Sequence, residues 1–134
     1  MLNKGDKLLG IDYGDKRLGL ALAAVGSIAA PFKVIINSGE NILFTELKNV
    51  ITEENIKIVV VGLPHSLSGQ PNERLSITQN FVDQLRKQLA IPVETVDEQF
   101  TSQMYSRQGV SKDLDKHSAT AILDTYLEQN HAGL

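Results

Sequence analysis

The sequence contains no cysteine, which excludes a disulfide-stapled secreted module, a zinc ribbon and a thiol nucleophile. No run approaches the roughly 20 consecutive apolar residues of a membrane-spanning helix. The opening Met1-Leu2-Asn3-Lys4-Gly5-Asp6 lacks the basic-then-apolar layout of a secretory signal, so a cytoplasmic address and no membrane partner are expected. Tryptophan is missing and aromatics make up only 5%, which offers no obvious base-stacking platform. Nor is there an excess of positive charge: 13 basic side chains face 16 acidic ones, a net charge of −3. Composition alone therefore argues against a partner held by bulk attraction to phosphate. With only 4 prolines and no low-complexity run, the signature of a disordered chain is also missing.

What is present fits one folded unit. A length of 134 residues with 42% hydrophobic side chains supports a single core, so 1–134 reads as one domain without linker or repeat. Lys7 to Asp12 alternates as a strand, Tyr13 to Arg17 carries turn residues, and Leu18, Leu20 and Leu22 alternate on a returning strand. Phe32 to Ile36 reads as a third strand, and Leu43, Leu47, Val50 and Ile51 mark a helix over 42–54. Ile58-Val59-Val60-Val61, bounded by Gly62 and Pro64, has the continuous β-branched character of a central strand covered on both faces. A helix carrying Thr78, Phe81, Val82, Leu85 and Leu89 follows, then a strand over 92–96 and a short helix over 101–108. The terminal helix, 113–129, has Ala119, Ile122, Leu123, Tyr126 and Leu127 as its buried stripe. This order predicts an α/β fold: a mixed five-stranded sheet with an N-terminal antiparallel meander and helices on its faces.

Several acidic residues sit where the local pattern is apolar. Asp12 continues the face of Leu8 and Gly10 at the end of the first strand, and Asp97-Glu98 closes the strand ending at Val96. Asp115, with Ser118, Ala119 and Ile122 at helical spacing, points with the packed face of the last helix. Asp113 reads as an N-cap, and Asp124 as solvated. Taken singly, such acids serve as caps, turn residues or surface charges. Taken together they lie where ligands of open α/β sheets gather, beyond the carboxyl ends of the strands. Converging carboxylates repel unless protonated or bridged by hard cations, and two such ions about 3.5–4 Å apart are the general device for hydrolysing a phosphodiester.

Leu9-Gly10-Ile11-Asp12-Tyr13-Gly14-Asp15-Lys16-Arg17-Leu18-Gly19 resembles the first motif of the YqgF (RuvX) family of Holliday junction resolvase-like proteins, described as pre-16S rRNA nucleases. Val60-Val61-Gly62-Leu63-Pro64 followed by Gly69, then Asp97-Glu98-Gln99-Phe100-Thr101, then Leu114-Asp115 with Ser118-Ala119 and Ile122 to Leu127, resemble its later motifs in family order. The resemblance implies a ribonuclease H-like fold, a nuclease site using Mg²⁺ or Mn²⁺, in all two ions, and maturation of the 5′ end of pre-16S rRNA. It makes Asp12, Glu98 and Asp115 the catalytic metal ligands, with Asp97 as the second candidate from the acidic pair, and water as the nucleophile. Gln99 departs from the family's usual Arg, and Ser66 from its usual Asn.

Substrate contacts are expected from Lys16 and Arg17, in the turn directly after Asp12, and from His65 and Ser66, in the loop after a strand end. Arg74, Arg86, Lys87 and Arg107 read as solvated helix residues, and Tyr13 as the one aromatic near the site, with hairpin packing as its simpler role. Three other functions compete: half of a nucleotide-clasping ATPase, a non-catalytic ribosome-assembly factor that binds precursor particles, and a junction resolvase acting on branched DNA. The last would favour a dimer, whereas rRNA processing is compatible with a monomer or a weak homodimer. Two bound divalent ions would shift the formal charge from −3 to about +1, so the acidic balance no longer excludes nucleic acid.

Overall fold

The computed structural model describes residues 2–64, 73–97 and 115–130, with the side chains of 115–117 outside that description. Strands β1 (Lys7–Tyr13), β2 (Arg17–Ala24) and β3 (Ala30–Ile36) precede helix α1 (Glu40–Glu54) and strand β4 (Ile56–Leu63). Helix α2 (Glu73–Gln88), strand β5 (Val93–Asp97) and helix α3 (Asp115–Gln129) complete the described elements. The five strands form one sheet in the order β3-β2-β1-β4-β5. β1 pairs antiparallel with β2, and β2 with β3, whereas β4 runs parallel to both β1 and β5. The mixed sheet and the N-terminal meander are thus as expected. β1 takes the middle position, with β4 beside it in the interior.

The alternation in β1 divides the core. Leu9 and Ile11, both fully buried, face Leu43, Leu47 and Val50 of α1 and Phe81, Val82 and Leu85 of α2. Leu8, Ala21, Ala23 and Val60 face the other way, onto Ala119, Ile122, Leu123 and Tyr126 of α3. Both faces are covered, which is why the interior strands carry almost no polar residues.

The helix predicted over 42–54 begins two residues earlier, at Glu40, whose carboxylate sits favourably in the first turn. It ends at Asn55, which adopts φ 55°, ψ 51° and turns the chain directly into β4. The helix predicted over 101–108 lies outside the described residues. The terminal helix is embedded more deeply than a single stripe: Thr120, Ala121 and Thr125 are buried along with the expected apolar positions. Asp124 is correspondingly not solvated. It is half-buried and accepts a hydrogen bond from the Ala29 backbone, because the β2–β3 connection reaches over that flank of α3. Burial raises its carboxyl above the ordinary 3.8, the Ala29 N–H opposes this, and the charge of Glu128 adds to it.

Candidate active site

The placement of α3 depends on an absent side chain. A Cβ on Gly10 would stand 2.6 Å from Leu123 Cγ and 2.8 Å from the Ala119 carbonyl oxygen, so the helix backbone packs directly on β1 at this point. A glycine inside a strand pattern signals such an approach, and this one is legible in the sequence. Helix α3 runs antiparallel to β1. Asp124 is bonded to Ala29, beside the Lys7 end of β1, where Val25 donates to the Asp6 carbonyl oxygen at 2.9 Å. The N-terminal end of α3 therefore lies toward the carboxyl end of β1.

Asp12 stands two residues beyond Gly10 on the same face, about 6–7 Å along the strand. Position 115 lies one helical turn before Ala119, about 6 Å back along the axis. The backbone thus carries both to one end of one face of the sheet. The side chain of Asp12 is half-buried there, beside Gly19 across the antiparallel ladder.

The acidic pair at the end of β5 divides between faces. Val93 belongs to the α1/α2 core and Val96 to the α3 core, so Asp97, paired with Leu63, continues the α1/α2 face. Pleating sets Asp97 on the opposite side of the sheet from Asp12. Glu98, His65 and Ser66 lie outside the described residues. Among the described residues no cluster of three acidic or histidine side chains forms a metal cage, and of the expected ligands on the α3 face only Asp12 has a described side chain.

The turn after Asp12 is tightly built. A Cβ on Gly14 would meet the Arg17 carbonyl oxygen at 2.5 Å, so only glycine closes this bend without a shift. Asn37 braces it from the end of β3: its backbone N–H donates to the Lys16 carbonyl oxygen at 2.9 Å and its side-chain amide to the Gly14 carbonyl oxygen at 3.3 Å. Arg74, from the first turn of α2, holds the other side. Its Nη1 donates to Asp15 Oδ1 at 2.5 Å and its Nη2 to the Tyr13 carbonyl oxygen at 2.6 Å. Arg74 is therefore a clamp and not a solvated helix residue, a role that helical spacing could not show because its partners lie about 60 residues away.

The remaining candidates separate by face. Arg17 and Gly19 alternate with the buried Leu18, which places exposed Arg17 on the Asp12 side of β2. Lys16 is also exposed, at the tip of the turn. The Tyr13 ring is on the other face, stacked on Phe81 of α2 with centroids 4.0 Å apart and planes at 18°, so it packs into the core between sheet and helix rather than within the hairpin. Arg86 likewise has a structural task, its Nε and Nη2 donating to the Val93 carbonyl oxygen at 3.2 and 2.9 Å to tie α2 to β5.

The family model for RuvX, described as Holliday junction resolvase, matches residues 6–129. This chain belongs to the RuvX family. Relatives match most of the chain: a protein of Desulforudis audaxviator is 34% identical over 95% of this chain and 97% of its own length. One from Maridesulfovibrio salexigens is 33% identical over 90% and 97%. Both bear the name "Putative pre-16S rRNA nuclease". Among solved structures, Thermus thermophilus RuvC superimposes with a TM-score of 0.61 at 14% identity, covering 94% of this chain and 97% of RuvC. The same protein in complex with a Holliday junction substrate gives 0.62 at 13% identity, covering 95% and 97%. At such identities the likeness establishes the fold, which is the ribonuclease H-like fold of the resolvases. The RuvX chain is thus a member of a nuclease family, and no described helix is long and apolar enough to cross a membrane.

Proposed function

We propose that the chain is a single-domain cytoplasmic hydrolase that cuts nucleic-acid phosphodiesters with divalent metal ions, and that its substrate is the 5′ region of pre-16S rRNA within precursor particles. The observation that carries this reading is the close approach at Gly10, which packs α3 on β1 and brings position 115 to the strand end where Asp12 stands. Hard oxygen donors at the carboxyl ends of parallel strands suit Mg²⁺ or Mn²⁺, and Asp12, Glu98 and Asp115 are the residues that would hold two such ions. When bound, the ions supply charge stabilisation at the phosphate and a nucleophile from water at neutral pH. Asp12 would offer its carboxylate to those ions from the carboxyl end of the central strand. The opposite facing of Asp97 favours Glu98 as the ligand from the acidic pair. Lys16 and Arg17 take phosphates flanking the cut, and His65 and Ser66, which follow β4 in the chain, extend this contact. One copy of the chain carries the whole carboxylate set, so a monomer suffices.

The RuvX relatives named for pre-16S rRNA favour RNA over branched DNA as the substrate. The test is cleavage of a pre-16S 5′ fragment and of a four-way DNA junction by purified protein with Mn²⁺ or Mg²⁺. Asp12→Asn is expected to lower the rate on the order of a hundredfold or more with the fold intact. Cleavage undiminished in Asp12→Asn refutes the assigned site, cleavage of the junction alone refutes the RNA substrate, and normal 16S 5′ ends after depletion refute the ribosomal role.

A further inference from the structure

We propose that Arg74 is a positioning residue for the nuclease site, holding the turn that follows Asp12 in the geometry that cleavage requires. The inference rests on the function proposed above and adds to it a residue from a different element. Three observations carry it. First, one guanidinium reaches two points of the turn, the Asp15 carboxylate at 2.5 Å and the Tyr13 carbonyl oxygen at 2.6 Å, and Tyr13 is the residue joined directly to Asp12. Second, the base of Arg74 is fixed. It lies in the first turn of α2, Thr78 Oγ1 donates to its carbonyl oxygen at 2.9 Å, and one turn further on Phe81 is stacked on Tyr13 itself. The same helix therefore grips residue 13 twice, by its ring on the core side and by its carbonyl oxygen at the turn. Third, the opposite side of the turn is anchored by Asn37 to the Gly14 and Lys16 carbonyl oxygens, so the bend is held from two elements at once.

A planar fork satisfies this arrangement and a single ammonium does not. Arg presents parallel N–H groups in fixed geometry, whereas Lys offers one point of charge on a flexible stem. A displacement of about 1 Å in a catalytic group can cost on the order of a hundredfold in rate. A brace on the residue next to a metal ligand is therefore worth more to turnover than to stability.

Arg74→Ala and Arg74→Lys are compared with the intact chain by three measurements. These are steady-state cleavage of the RNA fragment, Mn²⁺ titration followed by paramagnetic broadening, and amide hydrogen exchange. Arg74→Ala is expected to lower kcat by about tenfold or more with KM within about twofold, to weaken Mn²⁺ binding, and to speed exchange at Gly14, Asp15 and Lys16 while the β1 core amides stay protected. Arg74→Lys is expected to restore less than half of the lost kcat. A rise in KM with kcat unchanged would make Arg74 a phosphate contact and overturn the proposal, as would full rescue by Lys or unchanged exchange in the turn. Asp15→Ala, at a residue whose side chain is 72% exposed, removes the acceptor of one arm of the clamp without touching the core and is expected to give an intermediate effect; no effect on exchange counts against the clamp. If the intact chain neither cleaves nor binds Mn²⁺, the function itself fails, and the exchange data decide separately whether Arg74 orders the turn.

Discussion

Replacing Gly10 by alanine tests the contact on which the site depends. The added Cβ would lie 2.6 Å from Leu123 Cγ and 2.8 Å from the Ala119 carbonyl oxygen, against ordinary separations of about 3.5–4.0 Å between carbons. Neither neighbour can yield into solvent, since Leu123 and Ala119 are both fully buried and one of the two atoms is backbone. Relief requires α3 to lift from β1 by roughly 1 Å. Overpacking of this kind costs about 1–3 kcal/mol. Alanine recovers about 0.4–1 kcal/mol by restricting the unfolded chain, because the backbone at Gly10 is not in the left-handed region. The net loss is about 0.5–2 kcal/mol, or a melting temperature lower by about 2–8 °C for a chain of this size.

Urea unfolding followed by circular dichroism measures the stability, with the slope of the transition expected to stay unchanged. Leu123→Ala in the same background supplies the control. Alone it should cost about 2–5 kcal/mol as a buried truncation, but less by about 0.5 kcal/mol or more when the Gly10→Ala methyl fills part of the space. The lift also carries position 115 away from Asp12, so cleavage should fall by about tenfold or more. A Gly10→Ala protein as stable as the original would refute the packing argument. A destabilised protein with full activity would refute the inference that this contact assembles the site.

Two further outcomes follow from placement. Glu98→Gln should lose on the order of a hundredfold in cleavage and Asp97→Asn at least about tenfold less, because pleating turns Asp97 to the α2 side; equal losses in a cleavage assay would refute that assignment. At Asp124 burial raises the carboxyl above 3.8, so over the interval between 3.8 and the raised value the folded chain binds more protons than the unfolded one. The Asp124 contribution to stability is therefore lost as pH rises through that interval. The urea midpoint of Asp124→Asn should gain on that of the original chain from acid toward neutral pH, and a difference independent of pH would contradict the stated cause.

The amino-acid order by itself determined the element sequence, the meander and the two-sided covering of the sheet, because apolar periodicity reports how much of each segment is buried. It also marked Asp12 as a carboxylate continuing an apolar face, and the motif order pointed to the RuvX family that the comparison established. Only the tertiary structure decided matters that depend on pairs distant in the chain. It put Asp97 on the opposite face from Asp12, since a strand's facing is fixed by which residues meet the helices. It withdrew Asp124 from solvent, since the shielding comes from Ala29 on another element. It made Arg74 a clamp, since Tyr13 and Asp15 approach it only when α2 packs on the sheet. Gly10 joins the two levels: a glycine in a strand announces a close approach, and the fold names α3 as what approaches, because only a residue without a Cβ leaves room for the helix backbone there.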